Sequence, residues 1–167
     1  MHKNIMVSYD GSKESLDALK EAEEILATSP QMKLYIVQVA SDAEIEAPID
    51  MGWYGTMTEY QTVDPAVLAK LHDRFMERMT QQLHDELDKA VADIPNPVEM
   101  QVTVQTVSVS DSLLDFAKHH DIDLIVMGCR GLGAIRGVLG SVSYAVLRSA
   151  EVPVLFVKEG LHGRFQP

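Results

Sequence analysis

The sequence predicts an α/β fold, a single domain built on a doubly wound parallel sheet, and three observations carry that expectation. Short apolar runs alternate with segments of helical period along the whole chain. One run, Ile122–Met127 (IDLIVM), is apolar nearly throughout, as a strand covered on both faces should be. The length of 167 residues suits one compact domain with a real core. Connections between parallel strands should be right-handed, and no internal repeat or domain boundary interrupts the alternation.

The elements follow in order. Asn4–Tyr9 (NIMVSY) is a β-prone run that ends in the turn signal Asp10-Gly11-Ser12. Ser12 is a good helix N-cap, with Glu14 in the first turn where the helix dipole favours an anion. Leu16, Leu19, Ala22 and Leu26 repeat at helical spacing down to Ser29-Pro30. Leu34–Val39 (LYIVQV) reads as a buried strand. Residues 41–63 have no period, contain Pro48, Gly52 and Gly55, and read as a long loop of the kind that forms functional lids. Asp64-Pro65 opens a helix with proline at its first position, and Leu68, Leu71, Phe75, Met79, Leu83, Leu87 and Val91 form its apolar stripe. Pro95 and Pro97 follow. Met100–Val107 alternates as a strand with one polar face, and Asp111–His120 is a short amphipathic helix. After the Ile122–Met127 strand, Ser141–Ala150 is helical in pattern and Val152–Val157 is the last strand.

Bulk composition narrows the function classes. A net charge of −11 opposes binding to nucleic acid or anionic membranes. No apolar run reaches the length of a transmembrane helix, and the first nine residues are too short and polar for a secretory signal. The single Cys129 has no intrachain disulfide partner, which suits a reducing cytoplasm. The charge is unevenly spread. Residues 124–150 carry Arg130, Arg136 and Arg148 with no acid, whereas residues 41–63 carry five acids and no base.

That cationic stretch contains the chemistry. In open α/β sheets, ligands bind beyond the carboxyl ends of the strands, where the strand order reverses. From Gly128 the chain reads GCRGLGAIRGVLGSVS, with glycines at 128, 131, 133, 137 and 140. Glycine lets backbone N–H groups approach an anion with no Cβ in the way. Gly140-Ser141-Val142-Ser143 then opens a helix whose first N–H groups point at whatever lies in front. The hydroxyls of Ser141 and Ser143 can bond phosphate oxygens, and Arg130 or Arg136 can add charge-assisted bonds. No GK[ST] triplet occurs, so this is not a Walker loop, and the dinucleotide fingerprint belongs after the first strand, not here.

The segment resembles the universal stress protein family, whose ATP-binding members carry G-x2-G-x9-G-[ST]. Here Gly128-x2-Gly131 is followed by eight residues before Gly140-Ser141. The resemblance extends to NIMVSYDGS at the opening strand, DLIVMGCRG at the fourth, and GSVSYAVLRSAEVPVLFVK at the closing helix and strand. It implies a five-stranded sheet of order 3-2-1-4-5, like that of the adenine nucleotide alpha hydrolases, spanning residues 1–158 and leaving 159–167 as a tail. It also implies ATP as ligand, with magnesium or manganese as its companion ion. By position, Asp10 would face the nucleoside, the Val39 backbone would bind adenine, and Met127 and Gly128 would line the pocket. Gly131, Gly140, Ser141, Val142 and Ser143 would hold ribose and phosphates, and Arg130 is added as a phosphate partner. Dimers of the family commonly form through the last strand, so a homodimer through Val154, Leu155, Phe156 and Val157 is expected.

The remaining polar residues are read as structural. His119 and His120 close a short helix, where a cation suits the dipole, and neither they nor His72 and His84 have zinc-ligand spacing. Cys129 is read as a small pocket-lining residue, and Met51, Met57, Met76 and Met79 as packing. With no activated nucleophile or general base beside the glycine loop, the expected function is a regulatory ATP-binding module of the stress response. The alternatives are a slow metal-dependent ATPase or phosphotransferase using Asp10, and a nucleotide-free scaffold.

Overall fold

The computed structural model describes residues 3–41, 65–129 and 139–158. Lying outside them are the acidic segment with Met51 and Met57, the glycine segment from Arg130 through Gly137, and residues 159–167. The described elements are β1 (Asn4–Ser8), α1 (Lys13–Leu26), β2 (Lys33–Ala40), α2 (Pro65–Val91), β3 (Val98–Val104), α3 (Val109–His119), β4 (Leu124–Gly128), α4 (Ser141–Ser149) and β5 (Val154–Val157). All strand pairings are parallel and the order is β3-β2-β1-β4-β5. The expected doubly wound sheet is therefore present, with its order reversing between β1 and β4.

Strand alternation sorts the core into two layers. Ile5, Val7 and Tyr9 of the first strand segment face α1 and α2, packing with Ala18, Leu19, Ala22, Leu26, Leu83 and Leu87. Met6, Tyr35, Val37, Ile125 and Met127 face α3 and α4, packing with Leu113, Phe116 and Val146. Removing the side chain of a fully buried leucine such as Leu83 or Leu87 would cost about 2–5 kcal/mol.

Several boundaries differ from the sequence reading, each for a hydrogen-bonding reason. β3 begins two residues early because Leu34 N–H donates to Pro97 O at 2.9 Å. It stops at Val104: Gln105 N–H still reaches Ala40 O at 2.8 Å, but Thr106 N–H donates to the Ser112 hydroxyl at 3.1 Å. α3 starts at Val109, two residues before the expected Asp111, because Ser108 is its cap, its Oγ accepting from Asp111 N–H. Ile122 is not in β4, since its N–H donates back to Ala117 O at 2.9 Å to close α3. Leu16 and Leu71 are 36% and 38% exposed, so neither completes its helix's buried stripe. Leu16 stands beside the buried face of Ser15, Ala18, Leu19 and Ala22. Leu71 lies on the N-terminal half of α2, whose 27 residues span about 40 Å, longer than any strand beneath them.

Candidate functional site

Two turns leave the carboxyl ends of adjacent central strands. The register Ser8↔Met127 sets the ends of β1 and β4 side by side, which brings the Asp10 turn and Gly128 to one crevice. Val39 lies one strand over, in β2, paired with Thr103 and half-buried against the α3–α4 layer.

The first turn is closed by protein groups. Asp10 is exposed, and its Oδ1 accepts from Ser12 N–H at 3.0 Å. Gly11 has φ +77°, a conformation that side chains resist. Ser12 caps α1, its Oγ accepting from Ser15 N–H at 3.1 Å, while Ser15 Oγ donates to Ser12 O at 2.8 Å. The second Asp10 oxygen has no hydrogen bond among the described residues. A carboxylate so placed fits the way magnesium is held, through one or two carboxylates with the rest of its shell from phosphate and water. Among the described residues no group of three or more His, Cys, Asp or Glu side chains could hold a metal without such help.

At the second turn no described side chain caps the helix that follows. Gly140 caps α4 without any side-chain hydrogen bond, and no bond from the described residues reaches the amides of Ser141, Val142 or Ser143. These donors, with the positive end of the helix dipole, begin beside the carboxyl end of β4. The chain leaves β4 at Cys129 and returns to the same point at Gly140, whose N–H donates to Cys129 O at 2.9 Å. Cys129 N–H in turn donates to Val157 O at 2.9 Å, so the pinch is fixed to β5. Cys129 is buried at 7% exposure.

The structure assigns Ser143 differently from the sequence expectation. Its side chain is 3% exposed and its Oγ donates to Gly128 O at 3.0 Å. Its single hydroxyl proton is thus taken up in clasping α4 to β4, and only its backbone N–H is left for an anion. Ser141 is exposed at the first position of α4, Val142 is half-buried against the α3–α4 layer, and Met127 is 4% exposed in the same layer. Arg130 and Gly131 lie outside the described residues, as does Arg136.

The residue before Asp10 was not singled out in the sequence. Tyr9, directly before Asp10, is 5% exposed and its hydroxyl donates to Glu86 Oε2 on α2 at 2.9 Å. Burial, reinforced by that bond and by the Glu86 charge, pushes its pKa up to about 12. The period-two pattern Ile5, Val7, Tyr9 was the available signal for its inward direction.

Three of the described histidines contact neighbouring groups of their own helices. His84 Nδ1 lies 3.1 Å from Asp88. His119 and His120 contact the carbonyls of Asp115 and Phe116 at the end of α3, and His120 stacks on Phe116 with ring centroids 3.8 Å apart.

Comparison with known proteins decides the family. The model of the universal stress protein family matches residues 1–158. The chain belongs to that family. Universal stress protein MJ0531 of Methanocaldococcus jannaschii is 27% identical over 162 residues, covering 95% of this chain and 84% of that one. Among solved structures, the hypothetical protein MJ0577 superposes with a TM-score of 0.71 at 21% identity, covering 95% of this chain and 96% of that one. A universal stress protein crystallised in complex with cAMP is 28% identical, with a TM-score of 0.55 and coverage of 94% and 97%. These likenesses place the sheet in the Rossmann-like adenine nucleotide alpha hydrolase fold. The described strands and both candidate turns fall within the matched span. Among the described residues, no helix is long and apolar enough to cross a membrane.

Proposed function

We propose that this universal stress protein is a regulatory module of the stress response that binds ATP at the crevice beyond β1 and β4. One observation carries the reading: of the two turns, the Asp10 turn is capped by its own side chains, whereas no described residue caps the amides that open α4 behind Gly140. An uncapped helix end in a sheet crevice is a place for phosphate. The cyclic-nucleotide complex of a family member at 28% identity supports an adenine nucleotide in particular.

In this reading the amides of Ser141, Val142 and Ser143 hold phosphate oxygens, with Gly131 and Arg130 contributing from the glycine segment. Met127 and Gly128 line the floor, the Val39 backbone meets adenine, and Asp10 faces the nucleoside with its free oxygen available to magnesium or manganese. Nucleotide occupancy then changes the surface seen by partners, without fast turnover. The protein acts as a homodimer in the cytoplasm.

Gly140 provides the test. Its φ of −61° is open to any residue, so a side chain can be added there without backbone strain. Denatured protein should release ATP detectable by mass spectrometry, and calorimetry should show binding of ATP in preference to AMP and cAMP. Gly140→Val should weaken ATP at least about tenfold with little change in melting temperature. Absence of binding by wild type at millimolar ATP would falsify the assignment. A metal-dependent steady-state rate that disappears in Asp10→Ala, with binding retained, would instead establish the ATPase.

A further inference from the structure

The Asp10 turn is closed by its own side chains, and Asp10 makes no hydrogen bond beyond it among the described residues. Asp10 is exposed, its only hydrogen bond among the described residues is to Ser12 N–H, and the next residue is a glycine at φ +77°. The residue before it is anchored on three sides. Tyr9 N–H donates to Val37 O at 2.9 Å, its ring sits in the α1–α2 layer with Ile5 and Val7, and its hydroxyl reaches Glu86. Glu86 is itself held, since Gln82 Nε2 donates to its other oxygen at 2.9 Å. Glu86 is exposed, but its neighbour along α2, Leu87, is fully buried, as is Leu83 one turn earlier, so the backbone that carries the acceptor is firmly packed. A phenylalanine at position 9 would fill the same apolar layer, and a buried hydroxyl is costly unless it finds a partner. The hydroxyl is therefore better explained by direction than by burial.

We propose that Tyr9 is a positioning residue for the nucleotide crevice: its phenol, tethered to Glu86 of α2, fixes the angle at which β1 delivers Asp10. This deepens the nucleotide reading and depends on it only for the identity of the ligand. It makes α2 a lever on the site, because any displacement of the Leu83–Leu87 turn is passed through Glu86 and Tyr9 to Asp10.

The experiment compares wild type with Tyr9→Phe, Glu86→Leu and Glu86→Gln by two readouts. The first is amide hydrogen exchange at Ser12, whose N–H reports the Asp10 turn directly; the second is ATP affinity. Tyr9→Phe and Glu86→Leu should speed Ser12 exchange and weaken ATP by about three- to tenfold each. Glu86→Gln keeps an acceptor for the phenol and should stay within about twofold of wild type in both. In an Asp10→Ala background, Tyr9→Phe should weaken ATP no further. Unchanged Ser12 exchange in Tyr9→Phe overturns the proposal, as does an affinity loss that persists without Asp10. If wild type binds no ATP, the ligand assignment fails, while Ser12 exchange still decides whether Tyr9 positions the turn.

Discussion

At the scale of single residues, the structure separates what a side chain is from what it does. Ser143 could be recognised as a helix-start serine, but its hydroxyl's choice between an anion and Gly128 O depends on how closely α4 approaches β4. That distance belongs to the packing, and no local pattern encodes it. Tyr9 was hidden for a related reason: its partner lies 77 residues along the chain. Its buried phenol nevertheless makes a sharp prediction. Its pKa rises from 10.0 to about 12 in the folded protein, so between those values the folded state keeps a proton that the unfolded state has lost. Its stabilisation is complete below pH 10 and disappears as pH climbs toward 12. The two-unit interval corresponds to on the order of 2 kcal/mol. Urea unfolding at a series of pH values should therefore show the advantage of wild type over Tyr9→Phe shrinking across that window. At pH 8 the advantage should be the ordinary worth of one hydrogen bond, roughly 1 kcal/mol. It should vanish inside the window and become a deficit toward its upper end, where the folded state must bury a phenolate or hold its proton. A constant difference between the two proteins from pH 8 to 12 would show that the phenol is not confined as described.

At the scale of elements, type and order were legible in the sequence, and ends were not. Alternating strand and helix periods follow from one-dimensional pattern, because each element must bury a face. Ends depend on which backbone group wins a competition, as when Ser112 Oγ takes Thr106 N–H and stops β3. The end of α3 shows such a competition in full. His120 is the C-cap, Asp121 follows with φ 50°, and Ile122 N–H reaches back to Ala117 O at 2.9 Å. This is a Schellman closure, in which the left-handed position is usually glycine or asparagine. Asp121 meets the backbone requirement tolerably, but it sets a carboxylate at the negative end of the helix dipole. Asp121→Asn keeps the tolerance for positive φ and removes the charge. It should stabilise the protein by about 0.3–1 kcal/mol, raising the melting temperature by roughly 1–4 °C for a chain of this size. The gain should fade as salt is raised, since the interaction is exposed and screened. A gain unchanged in high salt would point to backbone strain instead of the dipole.

At the scale of the whole molecule, the crevice is a product of topology: strand order 3-2-1-4-5 brings two turns more than 110 residues apart to one place. That much was readable, because a Gly-rich turn after a doubly buried strand in a parallel sheet has one natural location. The same topology leaves two sheet edges, and they are not alike. The β3 edge is backed by α2 and carries Glu99, Gln101 and Thr103 on its strand, with Glu99 paired to Lys33 at 2.5 Å. Charges of this kind discourage pairing with another strand. The β5 edge is Val154-Leu155-Phe156-Val157, with no charge, with Leu155 37% exposed, and with Tyr144 and Leu147 of α4 exposed at 58% and 54%. An uncharged strand edge with exposed apolar side chains nearby is the surface a second copy would cover, which supports the homodimer proposed above. In a two-fold pair every substitution acts twice, so Leu155→Lys brings two like charges into one interface. Sedimentation should show wild type as a dimer at micromolar concentration and Leu155→Lys as mostly monomer, its dissociation constant raised by roughly 100-fold or more. The variant should keep its circular dichroism and nearly its melting temperature as a monomer, because Leu155 is only partly buried within the chain. Thr103→Lys, on the opposite edge, should leave the dimer intact. A wild-type monomer at 100 μM (about the upper end of a useful association range), or a dimer that survives Leu155→Lys, would move the interface away from β5. It would also remove the simplest route from nucleotide to partner surface, since Val157 at the end of that strand holds the Cys129 amide where the glycine segment begins.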